Sequence, residues 1–216
     1  MKKYVLHLIG TPLFILAMSG PAAAAGYYLG ILGGVGYLPD ANVSDAEGRM
    51  IFSYDTGFDG SITAGYDLGD EYPKIGHGRV ELEFNRAAND IDEVDFVEGK
   101  VGADGSVKRT AIMLNTIGEQ AVRSGFTFYA LLGLGWARVD FDNVSILDEP
   151  FADGSSNELA YQAGLGVSWK PSSHIVVEVS YRYYGTTDPK ISGADGKDID
   201  FEYSCNRFLA GLRVNF

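Results

Sequence analysis

The chain has 216 residues, a formal net charge of −12 and 28 glycines, and aromatic residues make up 12% of it. The acidic balance argues against a nucleic-acid partner, because phosphate groups are bound by basic surfaces. A single cysteine excludes a disulfide framework and a cysteine-based metal cluster. The hydrophobic content of 46% argues against disorder, and the length suits one domain.

The beginning of the chain is predicted to be a secretory signal peptide. Two lysines precede an apolar run that ends at Met18, and four alanines before Gly26 suit cleavage by signal peptidase. The alternative is a membrane anchor, but the run is shorter than the roughly 20 apolar residues that a spanning helix needs. We therefore expect residues 1–25 to be the signal peptide and residues 26–216 to form the folded domain.

The remainder of the chain alternates between apolar and small or polar residues. In the segment 79–85, three apolar residues alternate with Glu81, Glu83 and Asn85. Such a period of two predicts strands that each have one apolar face. In one of the segments, 108–117, the phase of the alternation is unclear. The predicted strands, an even number, are 27–37, 58–66, 79–85, 108–117, 126–138, 159–169, 175–183 and 208–216.

The connections between these strands alternate between short and long, which is typical of an up-and-down outer-membrane barrel. The short turns are 68–78, 118–125 and 170–173, and the long polar loops are 38–56, 90–107, 140–158 and 186–200.

Three of the long connections contain the tripeptide Ala-Asp-Gly, at 103–105, 152–154 and 194–196. Because Asp and Gly tolerate a positive φ, we expect these tripeptides to form turns at the loop tips.

The position of the aromatic residues indicates which strand face meets the lipid. Aromatic residues lie near both ends of the apolar faces, as with Phe126 and Trp136, and this spacing suits two interfacial girdles around an apolar band. The opposite faces carry glycine and polar residues. The sequence therefore predicts an all-β, eight-stranded antiparallel up-and-down transmembrane β-barrel with short periplasmic turns and long acidic extracellular loops. A soluble β-sandwich or a lipocalin remains the alternative, because alternation alone does not fix which face lies inside.

Charged residues on the predicted inner faces suggest a network inside the barrel. The interior of an eight-stranded barrel is just wide enough to be filled by side chains, and unpaired charges there are costly. We expect the acidic residues to form ion pairs with the basic ones. The predicted members of this lumen charge network are Glu81, Glu83, Glu178, Arg182, Arg207 and Arg213.

The C-terminal strand, which ends in Arg213-Val214-Asn215-Phe216, resembles the C-terminal signature of bacterial outer-membrane β-barrels. The segment 52–67 is similar to the second strand of the opacity-protein and surface-antigen barrels, and 79–84 to the strand that follows it; the outer membrane protein A barrel belongs to the same superfamily. The resemblance implies a location in the outer membrane of a Gram-negative cell. It also implies that the barrel-assembly machinery reads the last strand, with Phe216 as the assembly signal.

The sequence indicates no catalytic residues, no cofactor and no metal site. Some barrels of this size are lipid-modifying enzymes, and a Ser/His hydrolase needs its histidine beside a serine and an acid. After cleavage of the signal only His77 and His174 remain, and both fall in or beside short turns, which the topology assigns to the periplasm. Cys205 has no cysteine partner, and we expect it to be a packed thiol.

The four long loops together hold all of the net negative charge of the chain. The sequence therefore favours a non-enzymatic surface barrel that acts in structure, adhesion or antigenic display through these loops. A narrow channel is the alternative, because the glycine-rich inner faces could leave space, and an enzyme of the outer leaflet is a third. The expected partners are outer-membrane lipids and lipopolysaccharide, with divalent cations as bridges, and a host or envelope protein at the loops.

Overall fold

The computed structural model describes residues 26–39, 41–44, 49–68, 77–96, 99–122, 124–147, 149–187, 189–192 and 198–216. The predicted signal peptide and the Ala-Asp-Gly tripeptide at 194–196 lie outside these residues. Among the residues described, no helix is long and apolar enough to cross a membrane. The strands are β1 (Tyr27–Tyr37), β2 (Ala41–Ser44), β3 (Arg49–Tyr54), β4 (Gly57–Asp67), β5 (His77–Phe96), β6 (Gly99–Ala121), β7 (Phe126–Ile146), β8 (Glu149–Trp169), β9 (Ile175–Thr186), β10 (Lys190–Ser192), β11 (Asp198–Phe201) and β12 (Ser204–Asn215).

Eight of these strands form a closed antiparallel ring. Strand β1 pairs with β4 on one side and with β12 on the other, so the first and last strands of the ring meet. The remaining neighbours follow the chain, from β4 through β5, β6, β7, β8 and β9 to β12. Each predicted strand corresponds to one strand of the ring, which confirms the up-and-down barrel.

The outer face of the ring is apolar. Phe58, Leu134 and Trp136 are 69%, 71% and 70% exposed, and the same alternation continues around the wall. In β6, whose phase the sequence left open, Ile112 and Leu114 point outward. So much exposed apolar surface is unfavourable in water and is typical of a barrel that faces hydrocarbon. The structure thus confirms the transmembrane orientation and contradicts the soluble alternative.

The two ends of the barrel differ. At one end, which we call the turn end, short connections join β4 to β5, β6 to β7 and β8 to β9. At the other, the hairpin end, the segments predicted as long loops continue as paired strands: β5 and β6 remain hydrogen-bonded up to Phe96 and Gly99, and β7 and β8 up to Ile146 and Glu149. Strands β3, β2, β11 and β10 add to this extension from the outer part of β5.

The predicted turns at two Ala-Asp-Gly tripeptides were wrong. The first lies inside β6 and the second inside β8. The register of β6 against β7 shifts between Asp104 and Ser106, and Gly105 has a φ of +135°. The register of β8 against β7 also shifts at the second tripeptide. Gly154 pairs with Phe141, whereas Ala152 pairs with Val144. The conformational freedom of these residues is used for β-bulges within the strands rather than for turns.

The barrel interior has a polar part and an apolar part. The polar part lies between the turn end and the middle of the barrel, where charged side chains are buried. The apolar part lies inside the hairpin end, and we call it the outer core. The outer core consists of Leu38, Phe52, Ile91, Val94, Ala103, Val107, Ala111, Met113, Ala137, Val139, Phe141, Val144, Ala160, Tyr184, Phe201, Tyr203 and Cys205.

Candidate functional site

The middle of the barrel contains a cluster of charged side chains with almost no access to solvent. Asp59, Glu83, Arg109 and Arg207 are each 0% exposed, and Arg182 is 1% exposed. Arg207 lies 2.8 Å from Asp59 and 3.1 Å from Glu83, while Arg109 lies 2.6 Å from Asp59 and Arg182 lies 2.9 Å from Glu83. We call these five residues the central ion cluster. Each carboxylate accepts from two guanidinium groups, so the negative charges of Asp59 and Glu83 are compensated.

Neutral side chains complete the coordination of the two glutamates on β5. Ser61 Oγ donates to Glu83 at 2.7 Å, and Gln162 Nε2 donates to it at 2.8 Å. Glu81 accepts hydrogen bonds from Tyr28 at 3.0 Å and from Asn115 at 3.2 Å. These donors come from β4, β8, β1 and β6, so the hydrogen bonds connect strands on opposite sides of the interior.

A second group of charges lies closer to the turn end. Arg79 contacts Glu178 at 2.7 Å and Glu119 at 3.3 Å, and Arg213 contacts the same two acids at 3.4 Å and 3.7 Å. We call these four residues the turn-end ion cluster. A cavity of about 250 Å³ adjoins it, with Arg213, Glu119 and His77 among its lining residues.

The structure places all six residues of the predicted lumen network inside the barrel. Glu83, Arg182 and Arg207 lie in the central ion cluster. Glu178 and Arg213 lie together in the turn-end cluster. The sixth, Glu81, lies between the two clusters and is hydrogen-bonded to the neutral donors named above.

Sequence reasoning missed four charged members of the interior: Asp59, Arg79, Arg109 and Glu119. The alternation could have identified two of them. Asp59 follows the outward-facing Phe58, and Arg79 lies two residues before the inward-facing Glu81, so both belong to an inner face. Arg109 and Glu119 lie on β6, where the alternation was unclear because the inner face of this strand also carries apolar residues such as Met113.

Glycine on one strand makes room for an aromatic ring from the neighbouring strand. The Tyr28 ring lies over Gly65 and the Tyr129 ring over Gly166, and a Cβ atom at either glycine would overlap the ring. Both tyrosines are buried, at 2% and 3% exposure. The glycine-rich inner faces are therefore occupied by neighbouring side chains at these positions.

Aromatic rings join the polar interior to the outer core. The Tyr184 ring lies 4.1 Å from the guanidinium carbon of Arg109, a cation–π contact. Beyond it, Phe141 and Phe201 have ring centroids 4.5 Å apart. Cys205 is free and 0% exposed within the outer core, which confirms the predicted packed thiol.

The two histidines that follow the predicted signal peptide, His77 and His174, lie at the turn end. His77 is the first residue of β5, and His174 precedes β9, where its Nδ1 lies 2.8 Å from Ser173 Oγ on the exposed surface. At the same end, the backbone N–H of Phe216 donates to the carbonyl of Tyr27 at 3.0 Å, and the Phe216 side chain is 55% exposed.

Acidic side chains are exposed on the hairpins at the opposite end. Asp92 on β5, Asp104 on β6 and Asp153 on β8 are all exposed, as is Glu149 at the start of β8. Asp104 pairs with Ser145 and Glu149 with Ile146, whereas Asp92 and Asp153 lie at register shifts within their strands.

Comparisons with known proteins agree with this architecture. A family model described as "Outer membrane protein beta-barrel domain" matches residues 11–216. Outer membrane protein PagN of Salmonella typhimurium is 25% identical over 175 residues, which are 74% of this chain and 73% of PagN. Outer membrane protein OprG from Pseudomonas aeruginosa superposes with a TM-score of 0.60 at 17% identity, over 89% of this chain and 96% of OprG. Neisserial surface protein A gives a TM-score of 0.52 at 18% identity, over 89% of this chain and 98% of that one.

Proposed function

Because this chain belongs to the outer membrane protein β-barrel domain family and lies in the outer membrane of the cell, we propose that it is a non-enzymatic surface barrel that binds partners through the hairpins at its extracellular end. The observation that carries this proposal is the filled interior. The central ion cluster and the outer core occupy successive levels of the barrel, so, apart from the cavity at the turn end, the accessible surface available for function lies outside.

The length of the hairpins supports a role in binding. Strands β6 and β7 have 23 and 21 residues, whereas a tilted strand crosses a bilayer in about 9–11 residues. About half of each strand therefore projects beyond the hydrocarbon. The outer core supports this projection from within, so it presents a shaped surface rather than a loose loop.

The charge of the projection indicates the chemistry of the partner. Its exposed acids, such as Asp92, Asp104 and Asp153, favour a basic surface on a host or envelope protein. A narrow channel is the competing function. The packing of Tyr28 over Gly65 and of Tyr129 over Gly166 argues against it, because the glycines do not leave open space there.

Two measurements on the full chain test the proposal. Cells that express the protein are compared for adhesion to host-cell layers with cells that express a variant in which Asp92, Asp104 and Asp153 are all replaced by Asn. A variant with Asp67→Asn at the turn end serves as control. We expect adhesion to fall only for the triple variant, and planar bilayers loaded with the protein to show no conductance steps. Unchanged adhesion of the triple variant, or regular conductance steps, would contradict the proposal.

We also propose that the last strand is the assembly signal. The exposed Phe216 side chain and the alternation of β12 support this role, since a receptor can reach both before the ring closes. Phe216→Ala is expected to lower the amount of folded barrel in the membrane while purified protein refolds in detergent as readily as the unchanged chain. Equal amounts in the membrane would refute this role.

A further inference from the structure

The cavity at the turn end lies on the axis of the barrel. Residues from β4, β5, β6, β7, β8, β9 and β12 contribute to its lining, so it is surrounded by the ring rather than set into one side of the wall. At its mouth His77, Ala121 and Lys170 are exposed, whereas Ser168 and Arg213 are buried deeper inside. The cavity is therefore open at the turn end, which the up-and-down topology assigns to the periplasm.

The turn-end ion cluster forms the floor of this cavity. Behind the floor, Arg79 lies between two buried aromatic rings, 5.4 Å from the centroid of Tyr28 and 5.1 Å from that of Tyr129. Arg213 also lies over the Tyr28 ring, at 4.9 Å. These side chains separate the cavity from the central ion cluster. The cavity is thus a pocket that ends inside the barrel.

Several buried polar atoms that line the pocket have no hydrogen-bond partner in the described part of the chain. Arg213 is 5% exposed, and its Nε and Nη1 atoms donate to no described residue. They lie 3.4 Å from Glu178 and 3.7 Å from Glu119, so these ion pairs are long. Glu119 Oε1 and Asn215 Oδ1 likewise accept no hydrogen bond there. Because buried polar atoms are normally hydrogen-bonded, the pocket offers both donors and acceptors to a ligand.

The charges around the pocket balance one another. Among the described lining residues, Asp67 and Glu119 are acidic and Lys170 and Arg213 are basic, with His77 counted as neutral. The floor is balanced as well, since the turn-end ion cluster contains two arginines and two glutamates. A ligand with a net charge would leave one charge uncompensated in a site with little solvent, which is costly. The pocket therefore favours a ligand that has no net charge but presents both an acceptor and a donor.

We propose that this pocket binds a small zwitterion and that it recognises an α-amino acid group. The carboxylate of the ligand accepts hydrogen bonds from Arg213, and its ammonium group donates to Glu119 Oε1 and Asn215 Oδ1. Both groups of an α-amino acid are attached to one carbon, so they can reach Arg213 Nη1 and Glu119 Oε1, which are 3.7 Å apart. Charge-assisted hydrogen bonds of this kind are the strong ones.

The size of the pocket limits the rest of the ligand. Its volume of about 250 Å³ is below the range of about 300–1,000 Å³ that is typical of sites for drug-sized ligands. Thr127 and Ser168, which pair across β7 and β8, bound the remaining space with hydroxyl groups. A short side chain fits these dimensions. The site lies at the opposite end of the barrel from the hairpins, so it does not depend on the function proposed for them.

Titration of the purified full chain in detergent with three small molecules tests this proposal. The probe is L-alanine; propionate lacks its ammonium group, and ethylamine lacks its carboxylate. Binding is followed by nuclear magnetic resonance, from the shifts of the backbone amide signals of Ala121, Thr127 and Ser168, which line the pocket. The amide signal of Val139 in the outer core serves as the internal reference for a change confined to the pocket.

Variants identify the groups that hold the ligand. Arg213→Lys keeps the positive charge but removes the guanidinium donors, and Glu119→Gln removes the negative charge. Because both change the turn-end ion cluster, a third variant, Ala121→Phe, leaves the cluster intact and fills the mouth of the pocket from an exposed position. Its matched control is Ala130→Phe on the exposed outer wall, and Arg138→Lys at the hairpin end is the control for Arg213→Lys.

We expect L-alanine to shift the three pocket signals and not that of Val139. Arg213→Lys and Glu119→Gln should each weaken its binding about tenfold, the effect of losing one hydrogen bond to a charged group. Propionate and ethylamine should bind at least about tenfold more weakly than L-alanine for the same reason. Ala121→Phe should abolish binding, and both controls should bind as the unchanged chain does.

Three results would each overturn the proposal. The first is that L-alanine leaves the pocket signals unchanged, which would mean that the pocket holds water only. The second is that propionate or ethylamine binds as tightly as L-alanine, so that a single charge is recognised. The third is that Ala121→Phe binds L-alanine with full affinity, which would place the bound molecule elsewhere. If Arg213→Lys or Glu119→Gln fails to fold, the comparison of Ala121→Phe with Ala130→Phe decides.

Discussion

Arg207 and Asp59 form a bidentate ion pair across a strand that lies between them. Arg207 Nε donates to Asp59 Oδ2 at 2.9 Å, and Nη2 donates to Oδ1 at 2.8 Å. The two residues lie on β12 and β4, which flank β1, and the facing position of β1 next to Arg207 is Gly36. Because glycine has no side chain, the guanidinium and the carboxylate meet over β1. The pair therefore connects three strands at the seam where the ring closes.

Asp59→Asn is expected to destabilise the barrel. The substitution removes a charge that compensates two buried guanidinium groups, those of Arg109 and Arg207. Loss of one partner of a buried ion pair costs about 3–5 kcal/mol. The free energy of unfolding in detergent, measured by urea titration or by the temperature at which the compact form loses its electrophoretic mobility, checks this value. Asp92→Asn, which removes the same charge from an exposed site, should change stability by less than about 0.5 kcal/mol; equal effects of the two substitutions would contradict the prediction.

Gly166→Ala is expected to destabilise by overpacking. The new methyl group would overlap the Tyr129 ring, and the cost of such overpacking is about 1–3 kcal/mol. Gly118→Ala is the matched control, because a Cβ atom there meets nothing within 4 Å. A second substitution, Tyr129→Ala, should make Gly166→Ala less harmful than it is in the unchanged chain. Additive effects of the two changes would show that the ring and the glycine do not interact.

Leu132→Arg is expected to lower stability in lipid vesicles by about 2–4 kcal/mol, because it places a charge on the lipid face near the middle of the apolar belt. Leu132 is 66% exposed on the outer face of β7. Ser155→Arg, on the exposed part of β8 beyond the belt, should cost about 0–1 kcal/mol. Unfolding in the same vesicles measures both, and similar costs would place the belt elsewhere on the wall.

Cys205 is expected to resist labelling by a maleimide in the folded protein. Its side chain is 0% exposed in the outer core, and a thiol must be reached by solvent to react. Denaturant should make it reactive. Asp153→Cys in a Cys205→Ser background provides an exposed thiol on β8 for comparison. Rapid labelling of Cys205 under native conditions would show that the outer core opens frequently.

The strands of the ring could be predicted from the sequence because the two faces of each strand differ strongly in polarity. The outer face is apolar and the inner face carries polar and charged residues. Trp136 and Leu134 outside, and Glu81 and Glu83 inside, all obey a period of two. The hairpin end follows a different rule. Beyond the membrane the outer face becomes polar, while the inward-facing Val139 and Phe141 pack in the outer core. Along β7, the apolar residues therefore change from the outer face to the inner face. A segment such as 140–158, read alone, resembles a polar loop.

The members of the interior clusters were harder to predict than the presence of charge inside. Alternation assigns Arg79 and Asp59 to the inner face, but it does not say which acid each will meet. The partners Arg79 and Glu178 are 99 residues apart in sequence, and Arg207 and Asp59 are 148 apart. Such contacts depend on strand tilt and register, which bulges such as the one after Asp104 alter.

The pairing of β1 with β12 constrains how the molecule is made. Residues 28–37 find their partners at 206–215, nearly the whole domain later. Until β12 has been synthesised, one edge of β1 has free N–H and C=O groups, and such groups readily pair with other chains. Contacts between segments so distant along a polypeptide also form slowly. Completion of the wall is therefore a late event, because β1 cannot satisfy the hydrogen-bonding groups of this edge within the ring until β12 is present.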